Sequence, residues 1–297
     1  MIAWAGYDQL MSKSALISFK DYRAHLQAEE AKIEDPVNGF FGPTSMAWRL
    51  NGEVVLGLIV IRAILMQVSH PKVAQGVAEH SNFREQAFTR AIATLKAQQQ
   101  IVFGTCAESR QALERIYARH VTVEGELDGE VYGANDPELL FWVFATLIDS
   151  MHYAYRTFLP DLSHDQWDSF YLESRFFAKL MGIPEHLIPE SRSEFEHWMT
   201  KKMASGEIRV SAAGREVGRS LLSSVTRLAW PITSVFAAGS LPPELRSGFG
   251  LSWGATRDRI YKLGARLIRT GIRWLPRVLH TSPNYWRAMH RARLANS

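Results

Sequence analysis

The chain is poor in cysteine: Cys106 is the only one among 297 residues. An intrachain disulfide is excluded, and so is a metal site built from several thiolates; a lone thiol suits a reducing, cytoplasmic setting, which is the expected location. A long apolar run is also lacking. The most apolar stretch, Val54 to Val68, is interrupted by Arg62 and, at roughly 15 residues, falls short of the ~20 that a spanning helix needs. The N-terminal MIAWAGYDQLMSKSALISFKDYR has no early basic region, no unbroken apolar core and no clear cleavage site, so it is not expected to act as a signal peptide. There is no Walker or Rossmann glycine signature, no His-Glu-x-x-His pair and no Gly-x-Ser-x-Gly elbow, which leaves phosphate-loop, zinc-protease and α/β-hydrolase chemistry without support.

Acidic residues are scarce in one region only. Residues 201–297 hold 17 Lys and Arg against 4 Asp and Glu, about +13, whereas residues 1–200 hold 17 against 26, about −9. Such a tail either packs on the acidic body and exposes its surplus, or makes peripheral contact with an acidic membrane. No nucleic-acid motif accompanies the charge, so nucleic acid is not an expected partner.

What the chain does have is apolar and aromatic. Hydrophobic residues make up 46%, charged residues 22%, with 9 Trp, 9 Tyr and 15 Phe, enough for a sizeable core that also accepts a flat or apolar ligand. Helix signals dominate. Gly52 to Gln67 reads as a buried helix stopped by His70-Pro71, and Arg84 to Val102 as a second, ended near Gly104. Thr105-Cys106-Ala107-Glu108, Ser163-His164-Asp165-Gln166 and Ser191-Arg192-Ser193-Glu194 are three capping boxes, each opening a helix. Asp136-Pro137 opens another, running to about Phe158 with a stripe of Leu140, Phe144, Leu147, Ile148, Met151 and Tyr155. "EGELDGEVYGAND" alternates enough for a short hairpin. Helical segments continue past Ser211, broken by Pro231, Pro242-Pro243 and Pro276. No βαβ rhythm and no repeat is present. The expected fold is all-α, a single compact multi-helix domain: an N-terminal arm and helix (1–44), a helical core (45–210) and a basic C-terminal helical region packed on it (211–297).

Within that frame a few residues point to chemistry. Leu113, Ile116 and Tyr117 form a helical stripe whose next place belongs to His120. An imidazole there is either a buried histidine bonded to a backbone carbonyl or a neutral metal ligand facing a dry cavity. Arg90 and Thr94, four apart, share a helix face with Gln98; they are either an ordinary solvated pair or a carboxylate clamp beside a hydroxyl. Asp149 with His152, and Glu194 with His197, stand at the three-residue spacing of carboxylate-bridged di-iron bundles, although Glu194 lies among polar neighbours.

The succession "WRLNGEVVLGLIVIRAILMQVSHPKVAQGVAEHSNF", "RAIAT", "VFG", "ARHVTVEG", "YGANDPELLFWVFATLIDS" and "YLESRFFAKLMGIP" resembles the MpaB/latex clearing protein family of oxygenases over roughly residues 45–205, with a weaker continuation in "LPPELRSGFGLSW". The resemblance implies an all-helical fold enclosing an apolar pocket for a non-covalently bound heme b. It places the proximal iron ligand at His120, and the family's Arg-x-x-x-Thr pair at Arg90 and Thr94, which would act in catalysis and cofactor binding. A lysine precedes that threonine in rubber-cleaving members; here the position is Ala93. His70 and His80 fall in patches the family shares and are read as packing residues.

The expected function is therefore a heme b-dependent oxygenase acting with O2 on a small apolar substrate, with oxidative C=C cleavage as the family's chemistry and aromatic walls at Phe144, Tyr155, Phe176 or Phe177. Two other readings stand beside it: a non-catalytic heme- or lipid-binding protein on an acidic membrane surface, and a nonheme iron oxidase. Substrate, product and oligomeric state are not written in the sequence.

Overall fold

A computed structural model of the protein describes residues 18–224 and 230–295, with only the backbone of 84–88 and 230. The expected N-terminal arm lies, through residue 17, outside the described residues. Fifteen α-helices follow in chain order: α1 (Phe19–Glu30), α2 (Met46–Asn51), α3 (Val60–Gln67), α4 (Pro71–His80), α5 (Phe83–Phe103), α6 (Cys106–His120), α7 (Pro137–Phe158), α8 (His164–Leu180), α9 (Arg192–Ala204), α10 (Ala212–Ser223), α11 (Trp230–Ser240), α12 (Pro243–Gly248), α13 (Ala255–Trp274), α14 (Arg277–His280) and α15 (Pro283–Ala295). The sole sheet among the described residues is an antiparallel hairpin, β1 (Glu124–Leu127) with β2 (Glu130–Gly133), in which Glu124 faces Gly133 and Leu127 faces Glu130. Asp128 and Gly129 make the turn with φ of 54° and 83°, the left-handed pair that such a two-residue connection requires. The fold is thus all-α apart from one small hairpin.

Local chemistry sets most helix limits. The Thr105 and Ser163 side chains each accept from the backbone three residues on, at 3.2 Å, while Glu108 and Gln166 reach back to the cap N–H, at 2.8 and 3.1 Å. The third box closes only halfway. Ser191 accepts from Glu194 N at 3.2 Å, but the Glu194 carboxylate accepts from Glu190 N at 2.9 Å rather than from its own cap. The single helix expected over 52–67 is also corrected: Val54–Ile59 is a 3-10 turn and the α-helix starts at Val60. Gly57 and the adjacent β-branched valines lower helix propensity there, and no side chain caps the turn.

α7 is central and buried on nearly its whole circumference, from Leu139 through Trp142 and Ala145 to Tyr155 and Phe158. A helix apolar all round must be enclosed, and α3, α8 and α13 lie against it. Each buried large apolar side chain here contributes about 1.5–3 kcal/mol. α10 packs on α4 and α5, α6 on α5, and α11 on α13. A second cluster joins Tyr22 and Leu26 of α1 to Leu113 and Tyr117 of α6, and a third joins Trp48 and Phe103 to Tyr285 and Ala288 of α15. Among the described residues no single helix is long and apolar enough to cross a membrane; Val54–Gln67 and Pro71–His80 reach that length and composition only together, bent by 104° at their break.

Candidate functional site

α3, α5 and α7 diverge enough to leave a small cavity of about 50 Å³, partly open to solvent. α5 presents Ala91, Thr94, Leu95 and Gln98 to it, successive places on one helical face, while Leu56, Ile59, Ala63 and Ile64 form the opposing wall. Leu147, Ser150 and Met151 of α7 make the floor. The lining is mainly apolar with a few fixed polar groups, the make-up of a small-molecule site. One of those groups is Asn51. It donates to Ala47 O at 2.9 Å, and its Oδ1 accepts from Gln98 Nε2 at 2.8 Å; Gln99 donates to Asn51 O at 2.9 Å. These bonds tie the end of α2 to α5.

Arg62, which in sequence only interrupts an apolar run, is 4% exposed. Its Nε donates to Ser240 O at 2.8 Å, and its two terminal nitrogens to Ser150 Oγ and Asp149 Oδ2, each at 2.6 Å. The guanidinium lies 4.7 Å from the centre of the Tyr153 ring. Tyr153 in turn meets the Tyr261 hydroxyl and donates to Gly239 O at 3.1 Å. Ser150 therefore joins the cavity floor to a buried cation whose charge is balanced by Asp149.

A second cavity of about 30 Å³ shares Asn51, Gln98, Leu147 and Met151 with the first. Phe41, Phe144, Phe170 and Phe177 line it, together with Glu173. Of the expected aromatic walls, Phe144 and Phe177 line this cavity. Tyr155 instead donates to Leu50 O at 3.3 Å, and Phe176 packs against Phe40 and Phe41. Burial raises the Glu173 carboxyl above its ordinary range, opposed by bonds from Ala47 N at 2.5 Å and Met46 N at 3.0 Å. Glu173 was missed in the sequence. Its signal was there: a carboxylate at the helical spacing of Phe170 and Phe177.

The resemblance-derived residues are only partly brought together. Thr94 lines the first cavity, but its hydroxyl donates to Arg90 O at 3.1 Å, so it offers lone pairs rather than a proton. Arg90 is exposed, and Ala93 is exposed away from the lining. The Arg90 guanidinium is drawn below its ordinary value by partial burial and then by Arg119, and it makes no ion pair among the described residues. Arg119, next to His120 in sequence, makes no ion pair among the described residues and lies near enough to Arg90 to repel it.

His120 itself closes α6 and is not among the described residues lining either cavity. Its Nδ1 is buried without a hydrogen-bond partner. Burial lowers its pKa, so the ring is neutral at pH 7; Asn135 lies near enough to favour the charged form, yet Asn135 Oδ1 also lacks a partner of good geometry. The Asn135 amide nitrogen is used on Tyr117 O at 3.3 Å.

The nonheme iron pairs do not converge. Asp149 is held by Arg62, while Glu194 and His197 are both exposed on α9. The His152 ring packs 4.4 Å from Trp167, and burial pushes its pKa down to about 4 despite Asp149. His70 bonds Glu207 at 2.7 Å and His80 meets Glu124 O at 2.9 Å. Among the described residues no three His, Cys, Asp or Glu side chains come together to hold a metal ion. A porphyrin brings four nitrogens of its own and asks the protein for one or two more ligands. The half-buried His120 offers one such nitrogen, its buried and unsatisfied Nδ1, although it lines neither cavity.

Comparison with known proteins bears on the same stretch. Residues 48–270 match the family described as ER-bound oxygenase mpaB/B'/Rubber oxygenase, catalytic domain. No curated protein matches the chain, and no solved structure does. The match takes in α3 to α12, most of α13, the first cavity and the buried arginine, and with it the chain belongs to the mpaB/rubber oxygenase family, a family of oxygenases.

Proposed function

We propose that the protein is a heme b-dependent oxygenase that acts with O2 on a small apolar substrate, cleaving a carbon–carbon double bond. The observation that carries this reading is His120 Nδ1, buried without a hydrogen-bond partner on a ring whose pKa burial lowers. His120 would hold the iron, and Asn135 would fix the ring's orientation, as partners of metal-bound histidines do. Arg90 and Arg119 would neutralise the propionates. When bound, the heme would supply the redox chemistry that activates O2. Cleavage of C=C into two carbonyls puts one oxygen atom of O2 on each carbon and requires no external reductant. The chain's own contribution would be an apolar wall of Leu56, Ile59, Ile64 and Leu147 for the substrate, and Thr94 Oγ1 as a fixed acceptor. The buried, unpaired Cys106, its thiol pushed up to about 11 by burial, suits the cytoplasmic setting that goes with this reading.

The test is the visible spectrum of the purified protein and of His120→Ala. A Soret band in the parent, lost in the variant while its helical circular dichroism persists, is the expected result. A variant that keeps its heme removes His120 from the account, and a colourless, folded parent removes the heme.

A further inference from the structure

We infer that the outer face of α13 docks on an anionic lipid bilayer. The inner face of this helix is spent on the core through Tyr261 and Ala265, with Ile268 and Ile272 half-buried beside them. The outer face carries Ile260, Leu263, Leu267 and Trp274, at a spacing that keeps them on one stripe, and all four are exposed, Leu267 at 64% and Trp274 at 81%. Past the helix end, Leu275, Val278 and Leu279 extend the apolar surface. Arg259, Lys262, Arg266 and Arg273 fall on the shoulder next to the stripe. Lys262 pairs with Asp258 at 2.7 Å, whereas Arg259, Arg266 and Arg273 make no ion pair among the described residues.

An exposed apolar stripe with a terminal tryptophan and a basic flank is what a helix lying in the plane of a membrane interface presents. The charge decides among occupants. A second copy meeting the stripe by two-fold symmetry would set arginine against arginine. Nucleic acid would answer the arginines but leave Leu267 and Trp274 without an apolar partner. A bilayer with acidic headgroups satisfies both halves of the surface. This inference does not depend on the heme.

The experiment is sedimentation of the full-length protein with vesicles of phosphatidylcholine, with and without phosphatidylserine. Binding is expected to the anionic vesicles, to weaken with added salt, and to fall by roughly tenfold or more in Arg266→Glu with Arg273→Glu. Leu263→Asp with Leu267→Asp should abolish it while circular dichroism stays unchanged. Trp274→Phe should remove the blue shift in fluorescence that accompanies binding. Equal binding to both vesicle types, or binding unaffected by either pair of substitutions, overturns the proposal. So does a dimer that Leu267→Asp dissolves, or tight binding to duplex DNA without binding to lipid.

Discussion

Arg62 brings a full charge beside the cavity floor, and it is tolerated there because three acceptors and a ring face meet it. Removing one partner of such a buried pair leaves the other uncompensated. Asp149→Ala is therefore expected to cost about 3 kcal/mol, read from a denaturant midpoint, and Arg62→Met to cost less, because the Asp149 side chain it strands is 30% exposed and water reaches it. Equal losses would show that the pairing itself matters little. His152 gives a pH test. With a folded pKa near 4 against 6.5 unfolded, the unfolded chain binds the proton first as pH falls. Stability is full above pH 6.5 and declines through the interval down to about 4, by about 3 kcal/mol from this residue. His152→Leu should flatten that decline, leaving the smaller slopes of His70 and His120, whose pKa values burial also lowers. Neither behaviour was legible in the sequence. Arg62 read as a break in an apolar run and Asp149 as an iron-ligand candidate, because their contact spans 87 residues that only tertiary structure folds away.

At the scale of elements the sequence spoke more clearly, since caps are local. The Asp136 cap, Pro137 and the Thr105 and Ser163 boxes stand where their residue types placed them. Thr105→Ala and Ser163→Ala should each cost about 1 kcal/mol in thermal unfolding, and Ser191→Ala a similar amount, because its own cap bond forms although the reciprocal one does not. A neutral effect at Ser163 would mean that water replaces the cap. The 3-10 turn over Val54–Ile59 was not legible. Its apolar pattern suits a helix, and only Gly57 and the crowded valines work against one.

For the molecule as a whole, the all-α class followed from the helix signals, but the cavities did not. The walls of the first come from residues 51–67, 91–98 and 147–151, three stretches distant in sequence, and the space depends on how far their helices splay. The imbalance of charge was plain in composition, yet only the structure shows that α13 carries an unburied apolar stripe next to it. That helix is also fastened inward. Tyr261 on α13 and Tyr153 on α7 touch through their hydroxyls, and the Tyr153 ring lies against Arg62, which holds Ser150. The two phenols act as a strut, so a load applied to the outside of the protein reaches the wall of its interior by a mechanical route four side chains long. Tyr261→Phe is expected to cut that strut: amide exchange around residues 147–153 should quicken, and the grip of the surface helix on whatever it touches should be unchanged.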